Sequence, residues 1–208
     1  MTAVDPRGIR RVDGDAELAA AAGLISLSFD HLGANRYLVP SDTERFAVLR
    51  DFFQVFVEHA AAGHGEVWRT DDGSAVAVWF DRTGEVAEPE DFEVRLKTLA
   101  GPYLDRFAAL GELLDTHHPT DPHWHLAFLA VHPERWGTGL GGALMRHTHA
   151  RLDADGVSAY LEATNDDNRR VYRRHGYVDL EPPAVLLPDG TPFYRMWRPP
   201  VAAPAHPA

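Results

Sequence analysis

A mixed α/β fold is predicted by three features of the sequence. Two short apolar runs, "EVWRT" (66–70) and "SAVAVWF" (74–80), flank the turn "DDG" and read as a β-hairpin. Residues 42–62 carry Phe46, Leu49, Phe53, Phe56 and Ala60 at three- and four-residue spacing, the period of an amphipathic helix. An apolar run, "HWHLAFLAV" (123–131), leads through glycines into a helical segment, a strand-to-helix unit.

The elements follow in order. "GIRRV" (8–12) reads as a strand closed by Asp13-Gly14-Asp15, and 15–29 as a helix. "SDTE" (41–44) has the capping-box pattern, so Ser41 is expected to cap the 42–62 helix with Glu44 reaching back. After the hairpin, 90–116 reads as helical with a break near Gly101-Pro102. The strand 123–131 precedes a helix over 138–153, a strand over 158–163 and a helix over 166–175. "AVLLPDGTPFYRMW" (184–197) is a last hairpin turning at Pro188-Asp189-Gly190. With no internal repeat or linker, 1–198 is expected to be one domain, and the Pro/Ala-rich residues 199–208 a disordered tail.

Composition narrows the function. The formal charge is −11, from 31 acids against 20 Lys and Arg, which disfavours nucleic acid and anionic membrane and favours cationic ligands. The chain has no cysteine, so disulfides, thiolate metal sites and a cysteine nucleophile are excluded. The N-terminus lacks the apolar core of a signal peptide, and the low-charge run 18–29 is too short to span a bilayer. A cytoplasmic protein, monomeric or homodimeric, is the expectation.

Gly137-Thr138-Gly139-Leu140-Gly141-Gly142 spells the dinucleotide fingerprint G-x-G-x-x-G, with Glu162 20 residues beyond. Two facts oppose that reading. Five residues, "HPERW", separate the strand from Gly137, whereas the dinucleotide fold turns tightly. Only 66 residues follow Gly142, and they end in a hairpin. A P-loop also fails, for want of Gly-Lys-Ser/Thr. The turn nevertheless opens a helix with unobstructed backbone N–H groups, which suits a pyrophosphate. The plainer alternative is a glycine turn that only lets helix and strand pack closely.

"LEATNDDNRRVYRRHGY" (161–177) reads as a strand end and a short helix. Asn165 is its cap, Asp166 and Asp167 complement the dipole, and Gly176 is its stop. Asn168 and Tyr172 share one face. Together, "AVHPERWGTGLGGAL" (130–144) and this segment resemble the GNAT superfamily of N-acetyltransferases. Gly139 and Gly141 match its acetyl-CoA motif; Asn165, Asn168, Tyr172 and Gly176-Tyr177 match its second motif. The motif's Gln/Arg position is Trp136 here. Segments 65–80, 121–141 and 160–177 further resemble the puromycin-acetylating, antibiotic-resistance branch of the superfamily.

The resemblance implies a GNAT fold, with a mixed central sheet, flanking helices and a C-terminal hairpin, and acetyl-CoA as co-substrate. Leu129, Ala130, Val131, Trp136, Gly137, Thr138, Gly139, Leu140, Gly141, Gly142, Asn165 and Asn168 are expected to bind it. A backbone N–H between Leu129 and Val131 is positioned to bind the developing oxyanion. Tyr172 is the family's proton donor to the departing thiolate. Glu162 is the first candidate to receive the amine's proton, with His125 or a water relay as alternatives. The acceptor is expected to be a small-molecule amine of the puromycin-like, aminoacyl kind; a protein amine and a non-catalytic acyl-CoA sensor are the alternatives. His117, His118, His123 and His125 lie close together but lack a carboxylate at ligand spacing, so no metal is expected. Phe29, Tyr37, Trp68, Trp79 and Trp124 are candidates for the acceptor pocket, although such residues are more often core.

Overall fold

The computed structural model describes residues 8–201. The chain runs β1 (Ile9–Arg11), α1 (Asp15–Phe29), α2 (Gly33–Leu38), α3 (Arg45–His59), β2 (Gly65–Thr70) and β3 (Ala75–Arg82). It continues α4 (Phe92–Ala100), α5 (Leu104–His117), β4 (His123–Val131), α6 (Leu140–Asp155), β5 (Ser158–Ala163), α7 (Asp166–Arg173), β6 (Val178–Leu186) and β7 (Pro192–Arg198). The strands form one seven-stranded sheet in the order β1-β2-β3-β4-β5-β7-β6. Every neighbouring pair is antiparallel except β4–β5. This is the mixed central sheet with flanking helices and a C-terminal hairpin that the resemblance implies.

Both faces of the central strands are buried, which is why β3 is apolar without alternation. Val76, Val78 and Phe80 point to one face, where Ile25 of α1, Leu49, Phe53 and Val57 of α3, and Phe107 of α5 pack. Ala75, Ala77 and Trp79 point to the other, against Leu144, Met145 and Leu152 of α6. Fully burying such a side chain is worth about 1.5–3 kcal/mol, so α6 is held by its inner stripe. Among the described residues, no helix is long and apolar enough to cross a membrane.

Several boundaries differ from expectation. α3 begins at Arg45, not 42, and no side chain caps it. Ser41 accepts the Glu44 and Arg45 N–H groups through its backbone carbonyl, and the Glu44 carboxylate accepts the Tyr103 hydroxyl at 2.6 Å, so the capping box does not form. The buried Arg45 dictates this turn: its Nε donates to the Val39 carbonyl at 2.9 Å and its head binds Asp42. After His59 the chain enters a π-helical turn, Ala60–His64, that breaks at Gly63. The short α2 lacks a periodic signature. α6 spans Leu140–Asp155 rather than 138–153, and α7 ends at Arg173 rather than 175. β6 starts at Val178, and its register with β7 jumps between Asp179 and Ala184, where Pro182 and Pro183 cannot donate to a ladder. Arg198 ends β7 and is buried, with Asp153 at 2.7 Å on both guanidinium nitrogens. Most of the expected tail, 202–208, lies outside the described residues.

Candidate active site

The site begins where β4 and β5 part. The two parallel strands pair only over His123–His125 and Ser158–Tyr160. On its other edge β4 stays paired with β3 to Val131, with a bulge that leaves Ala127 unmatched between Leu126 and Phe128. His132 donates its N–H to the Ser74 carbonyl on the β3 side at 2.8 Å. Strand alternation therefore turns the Leu129 and Val131 N–H groups to the open edge, away from β3. The Val131 carbonyl on that edge accepts the Ser28 hydroxyl at 2.9 Å and the Trp136 indole N–H at 2.7 Å. Leu129 thus offers a backbone donor into the parting of the strands.

The glycine turn follows directly. Gly137 and Gly139 have φ of 74° and 87°, a left-handed conformation that L side chains rarely adopt. Gly139 is the N-cap residue of α6; no side chain caps the helix, and its first turn holds no acid. The first-turn N–H groups are left for an acceptor from outside the helix, the arrangement that binds phosphate. Gly141 lies over Leu129 and Val131, where a Cβ would stand 3.5 and 3.6 Å from their side chains. A Cβ on Gly142 would meet His175 Nε2 at 3.0 Å and Arg146 at 3.2 Å, so an imidazole, its pKa lowered by burial, and a guanidinium flank the turn in a strongly acidic protein. These features fit the pyrophosphate of acetyl-CoA. Trp136 stacks on His31 at 5.0 Å and is half exposed; its indole N–H ties the loop back to β4.

α7 stands beside this turn. Asn165 caps it, its side-chain oxygen accepting the Asn168 N–H at 2.8 Å, while the Asn168 amide donates to Thr164 Oγ1 at 3.1 Å. Tyr172 packs against the apolar cluster of Leu140, Ala143 and Leu144, and its ring lies 5.9 Å from that of Tyr177. Burial raises its phenol to about 12, so the hydroxyl keeps its proton at neutral pH.

On the opposite face of the sheet lies a cavity of about 780 Å³. Nine of the chain's ten phenylalanines line it, among them Phe52, Phe53 and Phe56 of α3, Phe80 of β3 and Phe128 of β4. Its polar end is formed by His118, His125 and Glu162. Glu162 Oε2 is 2.9 Å from His125 Nε2, and Glu162 Oε1 is 3.9 Å from His118 Nδ1. Burial alone would raise the Glu162 carboxyl, but His125, His118 and Tyr160 together hold it down to about 2. Burial also drives His118 down to about 3 and His123 to about 4. The result is an ionised carboxylate near the neutral imidazoles of His118 and His123, at the mouth of the parted strands. Among the described residues, no group of three or more His, Asp or Glu is arranged to hold a metal ion.

Of the five aromatic residues considered for the acceptor pocket, only Phe29 lines the cavity. Trp79 is buried against α6, Trp68 packs on His147 and Arg11, Trp124 lies beneath Arg151, and Tyr37 beneath Arg106. Strand parity turns Trp79 and Trp124 away from the cavity. The phenylalanines that do form it were visible in "DFFQVF" (51–56), three aromatics in five residues on a helix that otherwise reads as ordinary core.

Parted parallel strands beside an uncapped, glycine-opened helix are the architecture of enzymes that transfer acyl groups from coenzyme A. Residues 39–177 match the acetyltransferase (GNAT) family, and the chain belongs to it. It is an acetyl-CoA-dependent N-acetyltransferase. A structure described as histone acetyltransferase HPA2 and related acetyltransferase, from Corynebacterium glutamicum ATCC 13032, is 27% identical. Its TM-score is 0.69, covering 95% of this chain and 98% of that one. Arylalkylamine N-acetyltransferase 2 from Aedes aegypti is 14% identical, with a TM-score of 0.55 over 93% and 99% of the two chains. The PaiA N-acetyltransferase from Thermoplasma acidophilum, in complex with coenzyme A, is 10% identical, with a TM-score of 0.54 over 92% and 97%. The last two share the fold.

Proposed function

We propose that the protein acetylates a primary or aminoacyl amine on a small molecule, by direct attack of that amine in a ternary complex. The observation that carries this reading is the aromatic cavity whose polar end, His125 and Glu162, opens where β4 and β5 part. A puromycin-like compound, with an aryl group beside its amine, is of the right character for those walls, and antibiotic modification is one use of such an activity.

Acetyl-CoA supplies the acetyl thioester when bound. The α6 turn from Gly137 to Gly142, with Trp136, Asn165 and Asn168 around it, holds the pyrophosphate arm, and the β4 edge from Leu129 to Val131 aligns the acetyl end. The Leu129 N–H donates to the carbonyl oxygen as negative charge develops there. The amine nitrogen forms the new N–C bond as the C–S bond breaks. Tyr172 gives its phenolic proton to the departing sulfur. The proton lost by the amine passes to Glu162, directly or through His125 or water. Tyr172 and the cavity lie on opposite faces of the sheet, which suits donor and acceptor roles on the two sides of the parting.

A thiol-release assay over a panel of amines, with mass analysis of products, tests the reading. Acetylated small amines are expected; coenzyme binding without turnover of any amine would favour a sensor instead.

A further inference from the structure

The cavity contains a charge for which the acetyl-transfer chemistry has no use. Arg82 ends β3 and lines the cavity. It pairs across the sheet with His123, as Phe80 pairs with His125, so all four side chains share the cavity face. Among the described residues Arg82 forms no ion pair, and its buried Nε has no hydrogen-bond partner. Burial lowers its pKa, and the nearby acids Asp115 and Glu162 offset this only in part. A buried donor without an acceptor is costly, so the site gains from a ligand that brings one. A guanidinium in low dielectric selects a carboxylate or phosphate, which it can bind with two parallel bonds. The acids on the cavity rim, Glu85, Glu88, Glu112 and Asp115, are exposed and screened by solvent; they attract the ammonium end of a substrate.

We propose that the acceptor is an aryl amine bearing an anionic group on the side of the ring opposite its amine, and that Arg82 binds that group. This rests on reading the cavity as the acceptor site. The phenylalanine walls take the ring, and the amine reaches the His125–Glu162 end. Strand spacing puts the Cα atoms of Arg82 and His125 about 8 Å apart.

Steady-state kinetics with acetyl-CoA tests the proposal on two pairs of amines. One pair is 2-phenylethylamine and 4-(2-aminoethyl)benzoate; the other is tyramine and O-phosphotyramine. In at least one pair the anionic member is expected to have a kcat/KM higher by about tenfold or more, chiefly through KM. The pair that shows the preference separates carboxylate from phosphate. Arg82→Met should bring the ratio near one, and Arg82→Lys should retain part of it. Neutral members used equally well or better by the wild-type protein, or a ratio that survives in Arg82→Met, overturn the proposal and leave acetyl transfer standing. If Arg82→Met does not fold, the wild-type ratio and Arg82→Lys carry the test. Absence of thiol release with these and all other amines contradicts acetyl transfer itself.

Discussion

Glu162 Oε2 lies 2.9 Å from His125 Nε2, with His125 in the last paired rung of β4 and β5 and Glu162 just beyond it. With Glu162 ionised, Nε2 donates to it; the Nδ1 of His125 is buried and has no partner among the described residues. In the proposed mechanism Glu162 orients the imidazole and holds negative charge where the amine would shed its proton. Glu162→Gln is expected to lower kcat/KM by about 10²-fold or more while acetyl-CoA still binds. Unchanged turnover would make the pair a purely structural one. Because Glu162 stays ionised down to about 2, the rise of activity with pH should report the amine, and should persist well above pH 5.

Acetyl-CoA should raise the melting temperature through binding linkage, by about 2.7 kcal/mol of added stability at a hundredfold excess over Kd. NAD and NADP should not. Gly139→Val should abolish the shift: at φ 87° a β-branched residue is strained, and the loop must move to relieve it. No side chain stands within 4 Å of a Cβ at Gly139, so the loss would come from the backbone conformation and from crowding of the phosphate, not from a clash inside the protein. Stabilisation by NAD alone would contradict this assignment.

Tyr172→Phe should keep the fold and the acetyl-CoA shift but lose about 10²–10⁴-fold in turnover, as removal of a general acid does. A phenol raised to about 12 is a weak acid in the ground state, so in the proposed role it would give up its proton only as negative charge grows on the sulfur. The check is steady-state kinetics beside a melting curve. A variant with full turnover would show Tyr172 to be a packing residue.

The elements that position this site are those whose local signals agree with their tertiary surroundings. The hairpin at 66–80, the strand 123–131, the glycine turn and the Asn165 cap all form, because turn chemistry and apolar period point the same way at each. The capping box at Ser41 fails because Arg45, buried and bound to Val39 and Asp42, imposes its own turn. Periodicity does not report such a side chain. The aromatic cavity was hidden for a related reason. Phe52, Phe53 and Phe56 are indistinguishable in sequence from core residues until α1, α3 and α5 are seen to stand apart over β3 and β4. Likewise, the pairing of His125 with Glu162 depends on strand register between segments 37 residues apart in sequence.

His149 provides a test of the fold through pH. It is buried on α6, 3.0 Å from the Tyr177 hydroxyl, and burial, with Arg198 and His175 nearby, drives it down to about 3. An unfolded histidine titrates near 6.5, so between about 6.5 and 3 the unfolded chain binds a proton that the native state does not. Stability therefore falls as pH drops through that window, by up to about 1.4 kcal/mol per pH unit for this one group. His149→Gln keeps a polar partner for Tyr177 and removes the titration, so urea unfolding between pH 7 and 4.5 should show a slope shallower by about one proton. An identical slope would show that His149 titrates normally in the native state.

The central claim is acetyl transfer from acetyl-CoA to the amine of a small molecule. The most direct test follows coenzyme A thiol release and the acetylated product together, over aryl and aliphatic amines, puromycin, aminated antibiotics, and histone-like and ribosomal peptides. The account predicts stoichiometric release of thiol and N-acetylated small amine, with aryl amines preferred. Efficient acetylation of the peptides with none of the small amines, or binding of acetyl-CoA with no amine turned over, would contradict it.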